Sequence, residues 1–179
     1  MENEFIIGEK VYLRSVELSD LDLFCRCGNN PEVRYSFFIA FPTNRVRQEE
    51  FIRGLYKEKD LILFTIVVKE GDIPVGHAGL YRVDLVSRAA TFGIIISDSK
   101  FWGKGYGSEV TKLIVDYGFR TLGLNRIQLQ VWADNVAGKK AYEKAGFKLE
   151  GTLRQAMFHE GKFCDFYVMS ILREDYLKK

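Results

Sequence analysis

One change of hydrophobic period limits what this chain can become, and it falls on three alternate glycines. Before it, residues 61–69 (LILFTIVVK) are rich in β-branched side chains and predict a strand. Glu70-Gly71-Asp72 predicts a hairpin turn into a second strand over residues 73–84. Gly76 and Gly79 in that strand let neighbouring backbone come close. Ser87-Arg88 turns the chain into a third strand over residues 89–97, which ends in Ile94-Ile95-Ile96. Turns this short join antiparallel neighbours, so the three strands form a meander. Then comes Trp102-Gly103-Lys104-Gly105-Tyr106-Gly107-Ser108. Beyond it Val110, Leu113, Ile114, Tyr117 and Gly118 recur at helical spacing, predicting a helix over residues 108–122 that Gly123 ends.

The rest of the chain extends this pattern at both ends. Residues 10–16 (KVYLRSV) alternate as a first strand. Ser19-Asp20 caps a helix carrying Leu21, Phe24 and Cys25, and Asn29-Asn30-Pro31 stops it. A turn is expected at residues 32–35, then an apolar loop through Phe37, Phe38 and Phe41. A helix over residues 43–59 turns Val46, Phe51 and Leu55 toward the core, and its polar face, with Arg45, Arg47, Glu49 and Arg53, reads as solvated. Residues 126–132 (RIQLQVW) predict a strand, and Asp134-Asn135 caps a helix that Gly146 stops. Residues 147–158 and 163–172 flank His159-Glu160-Gly161-Lys162 as a last hairpin. The expectation is one domain over all 179 residues, of mixed α/β class. It has a mostly antiparallel sheet of about seven strands and about four helices, in the order β-α-α-β-β-β-α-β-α-β-β.

Charge and cysteine use narrow the function classes. Lys+Arg is 26 and Asp+Glu is 24, a net charge of +2, which argues against a nucleic-acid partner. No run of about 18 apolar residues spans a membrane. The N-terminus (MENEF) has no apolar signal core, so a cytoplasmic location is expected. The three cysteines are odd in number, and Cys25 and Cys27 lack metal-ligand spacing; with only His77 and His159 to add, no metal is expected.

The glycine turn is where chemistry is concentrated. Three alternate glycines let successive backbone N–H groups converge on one point, and the following helix aims its positive end there, as a pyrophosphate requires. A P-loop would place Lys-Ser or Lys-Thr directly after the last glycine, and Tyr106-Gly107-Ser108 does not. A dinucleotide fingerprint would follow a parallel strand, with two residues between its last glycines and an acid about 20 residues on; none of these holds. A plain glycine turn is the remaining alternative.

The segment resembles the acyl-CoA-binding turn of the GCN5-related N-acetyltransferase (GNAT) superfamily, a Gln or Arg, two residues, Gly, one residue, then Gly or Ala. Here it falls on Trp102, Gly105 and Gly107, with Trp102 replacing the usual Gln or Arg. About 30 residues on, Asn135-Val136-Ala137-Gly138-Lys139-Lys140-Ala141-Tyr142-Glu143-Lys144-Ala145-Gly146-Phe147 resembles the family's second motif, an Asn-initiated helix ending in Tyr-Glu-Lys-x-Gly-Phe. Two motifs in the right order are a specific signal. The resemblance covers nearly the whole chain and is nearest the branch of ribosomal-protein N-terminal and spermidine acetyltransferases.

The resemblance implies acetyl-CoA as cosubstrate and an amine acceptor. The cofactor would lie between the strands at 89–97 and 126–132. Its pantetheine amides would pair with backbone at Ile94, Ile95 and Ile96, and its pyrophosphate with the turn at Gly103, Lys104, Gly105, Tyr106, Gly107 and Ser108. Asn135 would bond the pantetheine arm. Lys139 or Lys144 would meet the nucleotide phosphates, or be solvated helix lysines. Tyr142, two turns after Asn135, would protonate the departing thiolate, the alternative being a core tyrosine.

Deprotonating a Lys-like amine at neutral pH costs about 4–5 kcal/mol, an α-amine only about 1 kcal/mol. Polyamine relatives carry a Glu where this chain has Thr91 and acids in the loop at 36–44, where this chain has none. The first expectation is therefore a protein N-terminal α-amine. The alternatives are a small amine (polyamine, aminoglycoside or amino sugar) and a non-catalytic acyl-CoA-binding module. His77 or a water is the candidate base, and His159 is expected in solvent. The acceptor pocket is expected from residues 36–44 and the final hairpin, with Tyr35, Phe37, Phe38 and Phe41 as candidate lining. A homo-oligomer is left open.

Overall fold

The computed structural model describes residues 3–178. Its strands are β1 (Glu4–Ile7), β2 (Val11–Ser15), β3 (Ile62–Val68), β4 (Ile73–Asp84), β5 (Ala89–Ile96), β6 (Arg126–Trp132), β7 (Lys148–His159) and β8 (Lys162–Leu172). Its helices are α1 (Leu21–Asn29), α2 (Pro31–Phe37), α3 (Arg45–Gly54), α4 (Tyr106–Arg120), α5 (Val136–Ala145) and α6 (Arg173–Leu177). The strands form a single sheet in the order β1-β2-β3-β4-β5-β6-β8-β7. The pairs are antiparallel except β5 with β6, whose parallel pairing needs a crossover, and α4 supplies it.

Alternation along β4 and β5 sends their side chains to two different layers. Ala78, Leu80 and Phe92 are buried in the core with Val110, Ile114, Val115 and Phe119 of α4. Gly118 keeps that packing close, because a Cβ there would sit 2.7 Å from the Cδ1 of Ile127. His77 points to the opposite face, where its ring stacks on Phe24 of α1 at 4.6 Å. The sheet thus separates an α4 side from an α1–α3 side.

A buried ion pair anchors the α1–α3 side. Asp20, 3% exposed, accepts a two-pronged hydrogen bond from Arg14 at 2.7 and 2.8 Å. It also accepts from the Thr65 hydroxyl at 2.7 Å and the Glu17 amide at 2.9 Å. Burial pushes the Asp20 carboxyl up, but these donors together outweigh it and hold it below the usual range.

The structure departs from the sequence expectations at the ends and around α2. Among the described residues there are eight strands, not seven, because β1 pairs with β2 through a shifted register that its four residues do not announce, and six α-helices, not four. The expected turn at 32–35 is α2: the Asn30 side chain accepts from the Glu32 amide and Pro31 takes the first position, so the residues that stop α1 also start α2. The five-residue α6 carries too few residues to show a period. α3 is shorter than expected and ends at Gly54; Val46 is 66% exposed, and Ile52 is the side chain that packs with Leu21 and Phe24.

Candidate active site

Parallel strands β5 and β6 pair only at Ala89↔Arg126, Ala90↔Ile127 and Thr91↔Gln128. Past that point they splay. β5 stays laddered to β4 as far as Ile96, so its β6-facing edge is unpaired over residues 92–96. Ile94, Ile95 and Ile96 lie on this free edge, the kind of edge an extended ligand completes as an added strand.

The glycine turn closes the wide end of the gap. Gly103 (φ 70°) and Gly105 (φ 88°) are in the left-handed region, and Gly105 caps α4. The first amide of that helix to bond its own backbone is Glu109, to the Gly105 carbonyl at 3.0 Å. The N–H groups of Tyr106, Gly107 and Ser108 therefore stand free at the positive end of a fifteen-residue helix. A Cβ on Gly107 would make ordinary van der Waals contact with the Cδ1 methyls of Ile96 and Ile94, at 3.8 and 4.0 Å, whereas one on Gly103 would meet nothing within 4 Å, so the turn borders open space. Open space, free donors and a helix dipole suit the pyrophosphate of acetyl-CoA.

Trp102 braces the turn, its indole nitrogen 3.4 Å from the Ile96 carbonyl oxygen. Lys104 is part of the turn, and its Nζ lies 5.9 Å from the Phe101 ring. A basic group not singled out from the sequence stands nearby: Lys10, whose Nζ is the nearest atom, 3.9 Å, to a Cβ built on Gly105. Its backbone amide is held at 3.0 Å by Glu109 of α4. No local pattern could have found it, since long-range packing alone joins the two.

Helix α5 forms the other wall. Asn135 caps it by accepting from the Gly138 amide at 2.8 Å, which commits its oxygen and leaves its amide nitrogen to donate. A side chain on Gly138 would collide with Asn135 at 2.8–3.0 Å, so the glycine makes the cap fit. Lys139 is engaged by Glu143 at 2.7 Å and lies 5.8 Å from the Tyr167 ring, whereas Lys144 is exposed. Tyr142 packs edge-on to Phe92 and Phe147 at 6.2 and 6.0 Å. Burial pushes its phenol up to about 12, so it is protonated at neutral pH.

Across the sheet is a cavity of about 460 Å³. Its walls include Phe24, Phe41, Phe51, His77 and Ile95, and Arg47 reaches it from α3. His77 has a buried Nδ1 with no hydrogen-bond partner among the described residues, and burial pushes its pKa down to about 4. The loop at 36–44 contributes Ile39, Ala40, Phe41 and Thr43 to this cavity, and residues of α1 and α3 contribute to its wall, with none from the final hairpin in the lining. Arg47 is exposed, as its place on the polar face of the helix predicts, and the folded-back loop also brings it to the cavity mouth.

The hairpin does something else. His159 is not in solvent: its Nε2 is buried, and its ring lies 4.7 Å from Tyr35 and 4.5 Å from Phe38. Phe38 also packs on Trp132 and Phe166, so these aromatics tie α2 to the ends of β6 and β8. Of the four aromatic lining candidates, only Phe41 is in the cavity wall. Among the described residues, no cluster of three or more His, Cys, Asp or Glu is placed to hold a metal, and no helix is long and apolar enough to cross a membrane.

Residues 10–148 match the acetyltransferase (GNAT) domain family. The chain is 33% identical over 177 residues to an uncharacterized N-acetyltransferase, p20, from Bacillus licheniformis, covering 97% of this chain and 98% of that one. It is 30% identical over 171 residues to the spermidine N(1)-acetyltransferase of Escherichia coli (strain K12), covering 95% and 90%. The crystal structure of spermidine N-acetyltransferase from Vibrio cholerae in complex with CoA and spermine superposes with a TM-score of 0.88 at 27% identity, over 95% of this chain and 99% of that one. A sheet that opens before a glycine-capped helix, in a chain alike from end to end to such enzymes, places this protein in the GNAT family as an acetyl-CoA-dependent N-acetyltransferase.

Proposed function

We propose that the acceptor is the primary amine of a small molecule. The observation that carries this is the 460 Å³ cavity beside β4 and β5, within the range of pockets that enclose small ligands. The spermidine acetyltransferases among its relatives support a small amine over the protein N-terminal α-amine expected first.

Acetyl-CoA, when bound, supplies an acetyl group activated as a thioester. The amides of Tyr106, Gly107 and Ser108 hold its pyrophosphate, with Lys10 adding positive charge. The free edge of β5 at residues 94–96 and the Asn135 amide position the pantetheine arm. Neutral His77 accepts a hydrogen bond from the attacking amine and orients its lone pair. As the C–N bond forms and the C–S bond breaks, Tyr142 gives its phenol proton to the departing sulfur and regains one from solvent, to which the amine nitrogen releases its own. The burial that raises the phenol also disfavours a bare thiolate in the gap, so donor and acceptor shift together. His77, held near 4, is too weak a base to hold that proton, which favours its release through water.

The test follows free CoA thiol from acetyl-CoA against small amines and against short peptides with free N-termini. Turnover with small amines and little with peptides is expected. Turnover confined to peptides would overturn the reading.

A further inference from the structure

Resting on the reading that this cavity takes the acceptor, we propose that the acceptor carries a negatively charged group, of carboxylate type, on an apolar body, and that Arg47 holds the anion. Among the described residues the lining is apolar or neutral except for Arg47, and it contains no acid. Arg47 makes no ion pair among the described residues; Asp22 pairs with Arg45 and Glu49 with Arg53 at 2.9 Å, and Glu50, one turn along α3, is exposed and outside the cavity wall. Arg47 also stands in the first turn of α3, which has no acidic residue there, so the helix dipole adds to its positive field. An anion is what such a position lacks.

The second observation is His77, whose buried Nδ1 faces no partner within the chain. Its ring shares the cavity wall with Arg47 and, kept neutral by burial, gives that wall an uncharged polar group suited to an amine rather than an ammonium. A carboxylate on a guanidinium makes two parallel charge-assisted bonds, and a ligand bearing both groups would span Arg47 and His77 along the aromatic wall. A polycation would meet a like charge and no acid. The field of Arg47 also disfavours an ammonium ion and so favours the free amine that attacks.

The experiment measures thiol release with matched pairs: L-phenylalanine and phenethylamine, L-methionine and its decarboxylated amine, with spermidine as the polycation. Wild type, Arg47→Gln, Arg47→Lys and Arg47→Glu are compared, and acetyl-CoA affinity is measured for each. The carboxylated member is expected to be preferred in kcat/KM by about tenfold or more. Arg47→Gln should erase that preference through a rise in KM of about ten- to a hundredfold for the carboxylated amine alone, and Arg47→Lys should restore part of it. Arg47→Glu should move the preference to spermidine. Arg47 is exposed, so these variants should fold, and unchanged acetyl-CoA affinity would show that they do. Preference for the decarboxylated amines or spermidine in wild type, or a preference unaltered by Arg47→Gln, would overturn the proposal while leaving the small-amine reading standing. Turnover of peptides alone would overturn both.

Discussion

Tyr142 and His77 pack on opposite faces of the sheet with opposite chemistry, one a phenol pushed up to about 12, the other an imidazole pushed down to about 4. Both shifts come from burial, and both leave the group neutral at the pH of catalysis. Tyr142→Phe removes only the donor, so kcat should fall by about 10²- to 10⁴-fold while acetyl-CoA affinity holds; stopped-flow thiol release beside a binding titration checks this. The His77 shift also bears on stability. Its folded pKa is below the unfolded value near 6.5, so stability is full above about 6.5 and is lost as pH falls toward 4. Chemical denaturation across that window should show a slope that His77→Gln flattens. Asp20 acts lower down: its folded pKa is also depressed, so its contribution is present above about pH 4 and is lost as carboxylates protonate. Asp20→Ala strands Arg14 in a nearly buried site and should cost about 3–5 kcal/mol at neutral pH, read from the denaturation midpoint.

At the scale of elements, the site is a break in a sheet placed before a helix. The break needs no special residue in β6; it follows from three paired positions and then divergence. The helix end depends on glycine. Gly107→Glu would place a carboxylate beside the free amides of the helix end, with little cost to the fold because a Cβ there makes only ordinary contact with the methyl groups of Ile94 and Ile96. Acetyl-CoA binding should be lost while the thermal midpoint in its absence stays near wild type, and calorimetry with differential scanning would show both. This element was legible in the sequence because its signal is local: a change of period, three glycines, a capped helix with Asn135 and Tyr142 two turns apart. The surroundings of other residues were not. Arg47, Lys10 and the His159 cluster acquire their surroundings from segments far away in the chain, and no spacing along one helix or strand announces such contacts. The α2 helix was hidden for a different reason, since Asn30-Pro31 is both a stop and a start.

For the whole molecule, one sheet separates two sides of different chemistry. The α4 side offers backbone amides and a helix dipole to a polyanion, which is how a chain of net charge +2 can bind a nucleotide without a basic surface. The α1–α3 side offers an aromatic cavity with a single cation. The splay between β5 and β6 is where the two meet. Amide hydrogen exchange with and without acetyl-CoA tests that arrangement most directly. Slowed exchange is expected at residues 92–96 of β5 and at residues 106–108, with the β7–β8 hairpin unaffected. Bound acetyl-CoA that leaves those amides unchanged and protects a different surface would contradict it.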